Sequence, residues 1–167
     1  LLCVALSRKH GVPVRWNETR SENTVATIQG RGQIQHIELA ADSNGKLTAV
    51  RVRLTADMGA YLQLITPGIP ILGAFLYAGV YDLPKAYDFS CTGVFTNLTP
   101  TDAYRGAGRA EAAYAHERIM DDLARELGMD AAEVRLRNLH PKFLEPRAVP
   151  SGVLYDSGDY ETCMRKA

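Results

Sequence analysis

Residues 34–57 have the sequence IQHIELAADSNGKLTAVRVRLTAD, and this stretch predicts the sheet on which the fold is built. Apolar and polar side chains alternate on both sides of Asn44-Gly45, which is the pattern of a half-buried hairpin with a two-residue turn. That turn fixes the register, so that apolar residues pair on one face and solvated polar residues pair on the other. The predicted pairs are Leu39 with Val50, Ile37 with Val52, Glu38 with Arg51 and His36 with Arg53.

Periodicity and capping residues predict the other elements. A hairpin combined with further strands and helices in mixed order predicts an α+β fold, in which helices pack as a layer on a mixed or antiparallel sheet. The predicted elements are a helix ending at His10 with Gly11 as its C-cap, a strand over 12–17, a short helix over 24–29 capped from 21–23, a helix near 70–77, a strand over 87–96, a helix over 110–127, a helix after Asp130 that ends before Pro141, a loop over 141–158, and a helix from Asp159 onward.

The helix over 110–127 has the clearest amphipathic pattern in the chain, and Gly128 follows it as a stop signal. After it, Asp130 and Glu133 have the spacing of a capping box for the next helix. The predicted inner face of the long helix consists of Ala112, Ala115, Ile119, Leu123 and Leu127, and its predicted outer face of Glu117, Arg118, Asp121, Asp122 and Arg125.

Composition predicts one soluble globular domain over residues 1–167, with 46% apolar and 23% charged residues. The formal net charge is zero, so no electrostatic footprint indicates a nucleic-acid partner. The longest apolar stretch, 69–80, is interrupted by Pro70, Gly73 and Gly79 and is shorter than the ~20 residues that a membrane-spanning helix needs. No membrane span is therefore expected.

Cysteine and histidine usage indicates neither a disulfide framework nor a zinc site. Three widely separated cysteines favour a reducing, cytoplasmic compartment, and the four scattered histidines are interpreted as surface or structural residues. These residues are Cys3, Cys91 and Cys163, and His10, His36, His116 and His140.

Residues 103–109, Ala-Tyr-Arg-Gly-Ala-Gly-Arg, form the most informative motif for function. They lead into the N-terminus of the long helix, where unpaired N–H groups and the helix dipole favour anionic or oxo groups. Gly106 and Gly108 allow the backbone to approach a ligand closely. The motif lacks the third glycine of a dinucleotide fingerprint and the Gly-Lys-Ser/Thr of a phosphate loop. An ordinary tight turn that begins a helix is the alternative interpretation.

Thr96-Asn97 followed by Ala103-Tyr104-Arg105-Gly106-x-Gly108 resembles the molybdenum–pterin loop of the xanthine oxidase family of molybdenum hydroxylases, and most closely that of the large subunit of the carbon monoxide dehydrogenase type. The resemblance covers nearly the whole chain. The further matching segments are Gly11-Val12-Pro13-Val14-Arg15-Trp16, Asp57-Met58-Gly59-Ala60-Tyr61, Tyr81-Asp82-Leu83-Pro84, Glu126-Leu127-Gly128, Arg137-Asn138-Leu139 and Tyr155-Asp156-Ser157-Gly158-Asp159-Tyr160.

The resemblance implies that residues 1–167 are an internal fragment of the molybdopterin-binding large subunit, within its first lobe. The family's catalytic glutamate and other pterin loops are then expected outside this stretch, and the chain alone is expected to bind no molybdenum cofactor tightly and to be inactive. In the family, substrate carbon is hydroxylated with oxygen from water, and electrons pass through iron–sulfur clusters to a flavin. The implied partners are the rest of the large subunit, an FAD-binding medium subunit and a 2Fe-2S small subunit.

Carried over by position, the resemblance makes Arg105 and Gly106 cofactor-binding residues and places Ala107 and Gly108 in the substrate pocket. Gly106 occupies the position of the copper-binding cysteine of carbon monoxide oxidising members, so no copper is expected. Ala107 stands where purine oxidising members have a stacking phenylalanine, and Leu72 stands near their purine-binding arginine. These differences favour an aldehyde or a (hetero)aromatic substrate over xanthine or carbon monoxide.

Several side chains near the loop have a structural interpretation, either alone or beside a functional one. Arg109 has two interpretations, as a partner in an internal ion pair or as a residue that binds the pterin phosphate. Tyr104 is interpreted as a packing residue, and Glu111 as a residue that interacts with the helix dipole rather than as a catalytic base. The acidic residues Asp156, Asp159 and Glu161 are interpreted as solvated turns. For the whole chain, a noncatalytic binding module that reuses the fold and a small-anion or nucleotide-binding domain are the alternatives.

Overall fold

The computed structural model describes residues 1–83 and 86–167. Pro84, the last residue of one matching segment, lies outside the described residues. The helices are α1 (Leu2–His10), α2 (Arg20–Ala26), α3 (Gly68–Ala74), α4 (Arg109–Leu127), α5 (Ala131–Asn138) and α6 (Tyr160–Lys166), and the strands are β1 (Gln33–Ala41), β2 (Leu47–Gly59), β3 (Ala86–Phe95), β4 (Arg147–Ala148) and β5 (Leu154–Tyr155).

The main sheet has the order β1-β2-β3, with β1 antiparallel and β3 parallel to the long central strand β2. All four residue pairs predicted from the hairpin pattern are present, so the predicted register is confirmed. The turn is wider than predicted, because a bulge follows Ala40 and the chain reverses over Ser43 to Gly45. Asp42 stabilises this wider turn, since its Oδ1 accepts hydrogen bonds from the N–H groups of Asn44 and Lys46, both at 2.9 Å. The mixed sheet with packed helices confirms the α+β fold.

The core lies between the inward face of β2 and the helices α4 and α5. Val52 on β2, Ala112 on α4 and Val134 on α5 are all fully buried. Helix α4 spans the predicted range and ends at Gly128, whose φ of 63° supplies the left-handed C-cap. Its buried face is displaced from the predicted one: Ile119, Leu123 and Leu127 remain partly exposed, whereas Met120 and Ala124 are buried. The physical reason is that α4 packs against both the sheet and α5.

Two residues predicted for the solvated face of α4 bind Arg135 of α5 instead. The Arg135 Nε donates to Glu117 Oε2 at 2.7 Å, and its Nη2 donates to Asp121 Oδ1 at 2.9 Å. The hydroxyl of Tyr81 donates to the other oxygen of Glu117 at 2.8 Å. Burial raises the pKa of Glu117, but hydrogen bonds from His116, Arg135 and Tyr81 outweigh burial and lower this pKa to about 2. Glu117 therefore joins α4, α5 and the segment that contains Tyr81, and it does so as a carboxylate.

The N-terminal region departs from two predictions. Residues 12–17 form no strand in the described chain, because this alternating run has no strand beside it with which to pair. Helix α2 begins earlier than predicted, at Arg20, because Thr19 and Glu22 form a complete capping box. The predicted helix end at His10, with Gly11 in the left-handed conformation, is confirmed.

The remaining boundaries differ by short shifts. Helix α3 begins at Gly68 and ends at Ala74, two to three residues before the predicted bounds. Asp130 caps α5 through the N–H groups of Ala132 and Glu133, but the Glu133 carboxylate binds Arg137, so the predicted capping box is only half formed. Residues 141–158 are mostly loop, with the two-residue strands β4 and β5 paired across it. Among the described helices, none combines the length and the hydropathy needed to cross a bilayer.

Candidate functional site

The loop of residues 103–108, here called the glycine loop, connects the segment after β3 to the N-terminus of α4. Its last residue, Gly108, is the N-cap of α4 and has a φ of 90°. A Cβ at this position would lie 2.8 Å from the carbonyl oxygen of Ile69 and 3.1 Å from the nitrogen of Gly73. Only glycine allows this close approach, so the absence of a side chain holds the end of the loop against α3.

Three consecutive residues of the glycine loop have positive φ angles: Gly106 at 110°, Ala107 at 34° and Gly108 at 90°. For alanine this conformation costs about 1 kcal/mol or more. A Cβ on Gly106 would meet no atom within 4 Å. The backbone therefore bulges outward at Gly106, and the space beside it is open.

Within the described chain, the N–H groups of residues 104–108 donate to no protein acceptor. The first loop-to-helix bond is the one from the N–H of Arg109 to the carbonyl oxygen of Gly106, at 3.0 Å. The positive end of the α4 dipole lies at the same place. Because the donors lack partners and the space beside Gly106 is open, the residues present suit a ligand that carries oxo or other anionic oxygens.

Comparison with known proteins identifies the family to which this loop belongs. Residues 1–139 match the family model described as "Molybdopterin cofactor-binding domain". The chain belongs to this molybdopterin cofactor-binding family. This match covers most of the chain and confirms the predicted resemblance.

Relatives of this molybdopterin cofactor-binding domain include enzymes with different named substrates. The chain is 42% identical over 159 residues to the carbon monoxide dehydrogenase large chain of Hydrogenophaga pseudoflava, covering 93% of this chain and 20% of the relative. It is 36% identical over 163 residues to the nicotine 6-hydroxylase large subunit of Paenarthrobacter nicotinovorans, covering 95% of this chain and 20% of the relative. The quinoline 2-oxidoreductase structure from Pseudomonas putida 86 superposes with a TM-score of 0.84 and 32% identity, covering 99% of this chain and 21% of that one. The chain thus spans about a fifth of the length of the curated relatives.

The structure places the four predicted site residues of the domain next to one another on the glycine loop. Arg105 is exposed, Gly106 and Ala107 are partly exposed, and Gly108 is buried against α3. The open part of the loop is therefore formed by Arg105, Gly106 and Ala107. Assignment of these residues to cofactor and substrate remains a prediction.

The neighbours of the glycine loop have structural contacts. The guanidinium carbon of Arg31 lies 5.1 Å from the ring centroid of Tyr104, which is otherwise exposed. Arg109 forms no ion pair among the described residues, and its Nη1 donates to the carbonyl oxygen of Gly106 at 3.4 Å. Glu111 Oε2 is buried and, in the same described set, has no hydrogen-bond partner. The sequence did not predict the contact between Arg31 and Tyr104, because only the fold brings these two distant residues together.

The sequence also did not predict a role for three polar residues that lie near the start of the glycine loop. Asp57, Thr66 and Thr101 come from the end of β2, from the connection before α3 and from the segment after β3, respectively. Thr66 is fully buried and Thr101 is 8% exposed. The signal that could have found them is the Asp57-Met58-Gly59 motif, since Gly59 has a φ of 67° and a Cβ there would clash with Pro100.

The other predicted candidates have structural roles. His140 is 2% exposed and lies with its Nδ1 3.2 Å from Asp82 Oδ1, and burial lowers the pKa of His140. Asp159 caps α6 and pairs with Lys142, Glu161 pairs with Arg165, and Asp156 accepts a hydrogen bond from Ser157. Across residues 1–83 and 86–167, no three His, Cys, Asp or Glu side chains are arranged to hold a metal ion.

Proposed function

We propose that this chain is part of the large subunit of a molybdenum-dependent hydroxylase that oxidises an aldehyde or a (hetero)aromatic substrate with oxygen derived from water. The observation that supports this proposal is the glycine loop, whose N–H groups are unpaired and which is open beside Gly106. Relatives named for nicotine and a structural match named for quinoline support a heteroaromatic substrate.

Arg105 and Gly106 are the proposed cofactor-binding residues, and they act through backbone N–H groups. When bound, the molybdenum–pterin group supplies the redox chemistry and accepts the electrons of the substrate. The loop N–H groups stabilise negative charge on oxygen atoms near them, because they are fixed donors at the positive end of α4. Neither residue moves a proton in this proposal, and the chain's own contribution is binding and orientation.

Ala107 makes the open, proposed substrate side of the loop small, and Gly108, the other proposed pocket residue, is buried behind it against α3. The Ala107 methyl group is the only side-chain carbon on residues 106–108. A flat ring or an aldehyde then has room beside the loop, but loses about 1 kcal/mol of the stacking that an aromatic side chain would provide. We infer a substrate recognised mainly by contacts outside this loop.

Copper is not part of the proposed site. Gly106 has no side chain, and the thiolate ligands that select copper cannot come from this position. We therefore infer that the enzyme oxidises a carbon compound other than carbon monoxide, although the carbon monoxide dehydrogenase large chain is among its relatives.

The proposed enzyme needs partners to remove the electrons. We infer that the rest of the large subunit completes the cofactor site, and that a 2Fe-2S small subunit and an FAD-binding medium subunit carry electrons away. The three cysteines are free, which favours a cytoplasmic enzyme.

Elemental analysis of the complete enzyme purified from its native host tests this function. We expect about one molybdenum per large subunit, iron in the same preparation, and no copper. A Gly106→Cys variant is the matched control for copper, since it adds a thiolate to a loop that has none. Correctly assembled wild-type enzyme without molybdenum would contradict the proposal and would favour the noncatalytic binding module.

A small-anion or nucleotide-binding function has one observation in its favour, the same set of unpaired loop N–H groups. Isothermal titration of the 167-residue chain with inorganic phosphate and with ATP separates the two functions. The molybdenum proposal expects no saturable heat with either ligand. Saturable binding that Gly106→Pro abolishes would support the anion-binding domain instead.

A further inference from the structure

The segment of residues 96–102, just before the glycine loop, is attached at both ends to Asp57 at the end of β2. The carboxylate Oδ1 of Asp57 accepts hydrogen bonds from the Thr96 hydroxyl and from the N–H of Gly59, both at 2.7 Å. The carbonyl oxygen of Asp57 accepts the Thr101 hydroxyl at 2.6 Å. One residue therefore fixes both the beginning and the end of this segment.

A buried hydroxyl continues this attachment toward α3. Thr66 is fully buried, and its hydroxyl donates to the carbonyl oxygen of Thr101 at 2.6 Å while it accepts the N–H of Gln63 at 2.9 Å. Thr66 lies just before α3, the same helix whose Ile69 carbonyl is in close contact with Gly108. The residues around α3 therefore hold both ends of the glycine loop, one through Thr101 and the other through Gly108.

Asp57, Thr66 and Thr101 are here called the clasp. Among the described residues, their hydrogen bonds reach positions 96 and 101 but none reaches residues 103–108. The clasp therefore cannot contact a ligand of the loop through these bonds. It can act only by fixing where the loop begins.

We propose that the clasp is a positioning device that sets the location of the unpaired N–H donors of the glycine loop for cofactor binding. This inference rests on the proposed function. Gly106 and Gly108 give the loop a wide choice of backbone angles, so its conformation depends on how its ends are held. Hydrogen bonds weaken steeply when donor and acceptor move out of line, and a displacement of about 1 Å is enough to impair a preorganised site.

Limited proteolysis of the 167-residue chain tests the clasp without any cofactor. Trypsin cleaves after the exposed Arg105 in the loop and after the exposed Lys46 in the hairpin turn, which serves as an internal reference. Thr66→Val removes the hydroxyl with little change in shape, and Thr66→Ser keeps it. Thr66→Val loses the hydrogen bonds to both Thr101 and Gln63, and only the buried one to Thr101 holds the segment before the loop. We expect cleavage after Arg105 to become about tenfold faster in Thr66→Val, as the loss of that buried hydrogen bond predicts. Cleavage after Lys46 and both rates in Thr66→Ser should stay near wild type.

A merely structural role of Thr66 gives a different result. Global destabilisation would accelerate cleavage at Arg105 and Lys46 by the same factor, and that outcome, or no change at either site, would overturn the clasp. Should Thr66→Val fail to fold, Thr96→Val carries the same test at a less buried position, because it removes the 2.7 Å hydrogen bond from Thr96 to Asp57 together with the long 3.4 Å bond that Thr96 accepts from the N–H of Leu98. The expected acceleration at Arg105 is then about threefold, because a more exposed hydrogen bond contributes less.

Metal analysis of the complete enzyme tests the consequence for the cofactor. Asp57→Ala removes the carboxylate, whereas Asp57→Asn keeps an oxygen that can accept from Thr96 and Gly59. We expect molybdenum per large subunit to fall about tenfold in Asp57→Ala and to be retained in Asp57→Asn. Equal molybdenum in wild type and Asp57→Ala would overturn the clasp, whereas a wild-type enzyme without molybdenum would overturn the proposed function instead.

Discussion

The two ends of β2 differ in how their polar groups are satisfied. At the hairpin end, the buried Asn138 donates to the carbonyl oxygens of Gly45 and Val134 at 2.7 and 2.8 Å and accepts the N–H of Leu47 at 2.9 Å. At the opposite end, the N–H groups of residues 104–108 have no protein acceptor in the described chain.

This difference separates a structural end from the end that is proposed to bind the cofactor. Burying a polar group without a partner costs about 1 to 3 kcal/mol, so the hairpin end supplies every partner from within the chain. The open part of the glycine loop, Arg105 to Ala107, instead leaves its donors on exposed or partly exposed residues, where water or a ligand can satisfy them at no such cost. The arrangement at the loop end is therefore informative about function, whereas the arrangement at the hairpin end is informative about stability.

The largest effect is expected at the hairpin end. Asn138→Ala leaves the N–H of Leu47 and the carbonyl oxygen of Gly45 buried without partners, and we expect the free energy of unfolding to fall by about 3 to 5 kcal/mol. Urea denaturation of the 167-residue chain measures this loss. Asn44→Ala is the matched control in the exposed turn, with an expected change below about 0.5 kcal/mol. Similar losses in the two variants would contradict the structural role of Asn138.

A pair of glycine variants sharpens the comparison within the glycine loop. Gly108→Ala combines a φ of 90° with a Cβ 2.8 Å from the Ile69 oxygen, and we expect the free energy of unfolding to fall by about 3 kcal/mol. Gly106→Ala has a comparable φ but no atom within 4 Å of the new Cβ. The backbone strain alone should therefore lower the free energy of unfolding by about 1 kcal/mol. The comparison is made by thermal and urea unfolding. A larger loss for Gly106→Ala would show that the loop is not held against α3 as described.

A smaller, pH-dependent effect is expected at Glu117, where α4 meets α5. Its pKa in the folded chain, about 2, lies below the ordinary value of 4.5. The stabilisation is therefore complete above pH 4.5 and is lost as the pH falls through 2. Because Glu117 is partly exposed, we expect Glu117→Gln to lower the free energy of unfolding at pH 7 by about 1 to 2 kcal/mol after solvent screening. Unfolding curves between these pH values measure the effect.

Glu126→Gln is the control for the pH series, because Glu126 is exposed on the same helix. Its stability should follow wild type across the whole range. The difference between wild type and Glu117→Gln should shrink toward acid pH. A difference that grows as the pH falls would have the wrong sign for a lowered pKa and would contradict the ion network with Arg135.

Local patterns predicted the hairpin register and the ends of α1 and α4. The alternation supports the register of β1 with β2 although the turn is wider than predicted, because a slip by one residue would place charged residues such as Glu38 on the buried face. Gly11 and Gly128 end their helices where the sequence placed the stops, since both adopt the left-handed conformation. The strand predicted over 12–17 is wrong, because alternation does not supply the neighbouring strand that a sheet requires.

The glycine loop was predicted from its composition, and its clasp was not. Glycine and arginine at a helix N-terminus indicate an anion site within a few consecutive residues. Asp57, Thr66 and Thr101 belong to three separate segments, and hydroxyl and carboxylate groups of this kind occur throughout ordinary turns. The Asp57-Met58-Gly59 motif is the one local signal, and it does not identify Thr66 or Thr101 as the residues near Asp57.

The sequence by itself determined the family, the register of the hairpin and the position of the glycine loop, because each depends on residues that are close together in the chain. Only the tertiary structure decided which face of α4 is buried, that Glu117 and Asp121 bind Arg135, and that Gly108 packs on α3 while Gly106 stays open. The physical reason is that packing and polar satisfaction depend on which distant segments meet. Local patterns specify the elements, and the contacts between the elements specify the site.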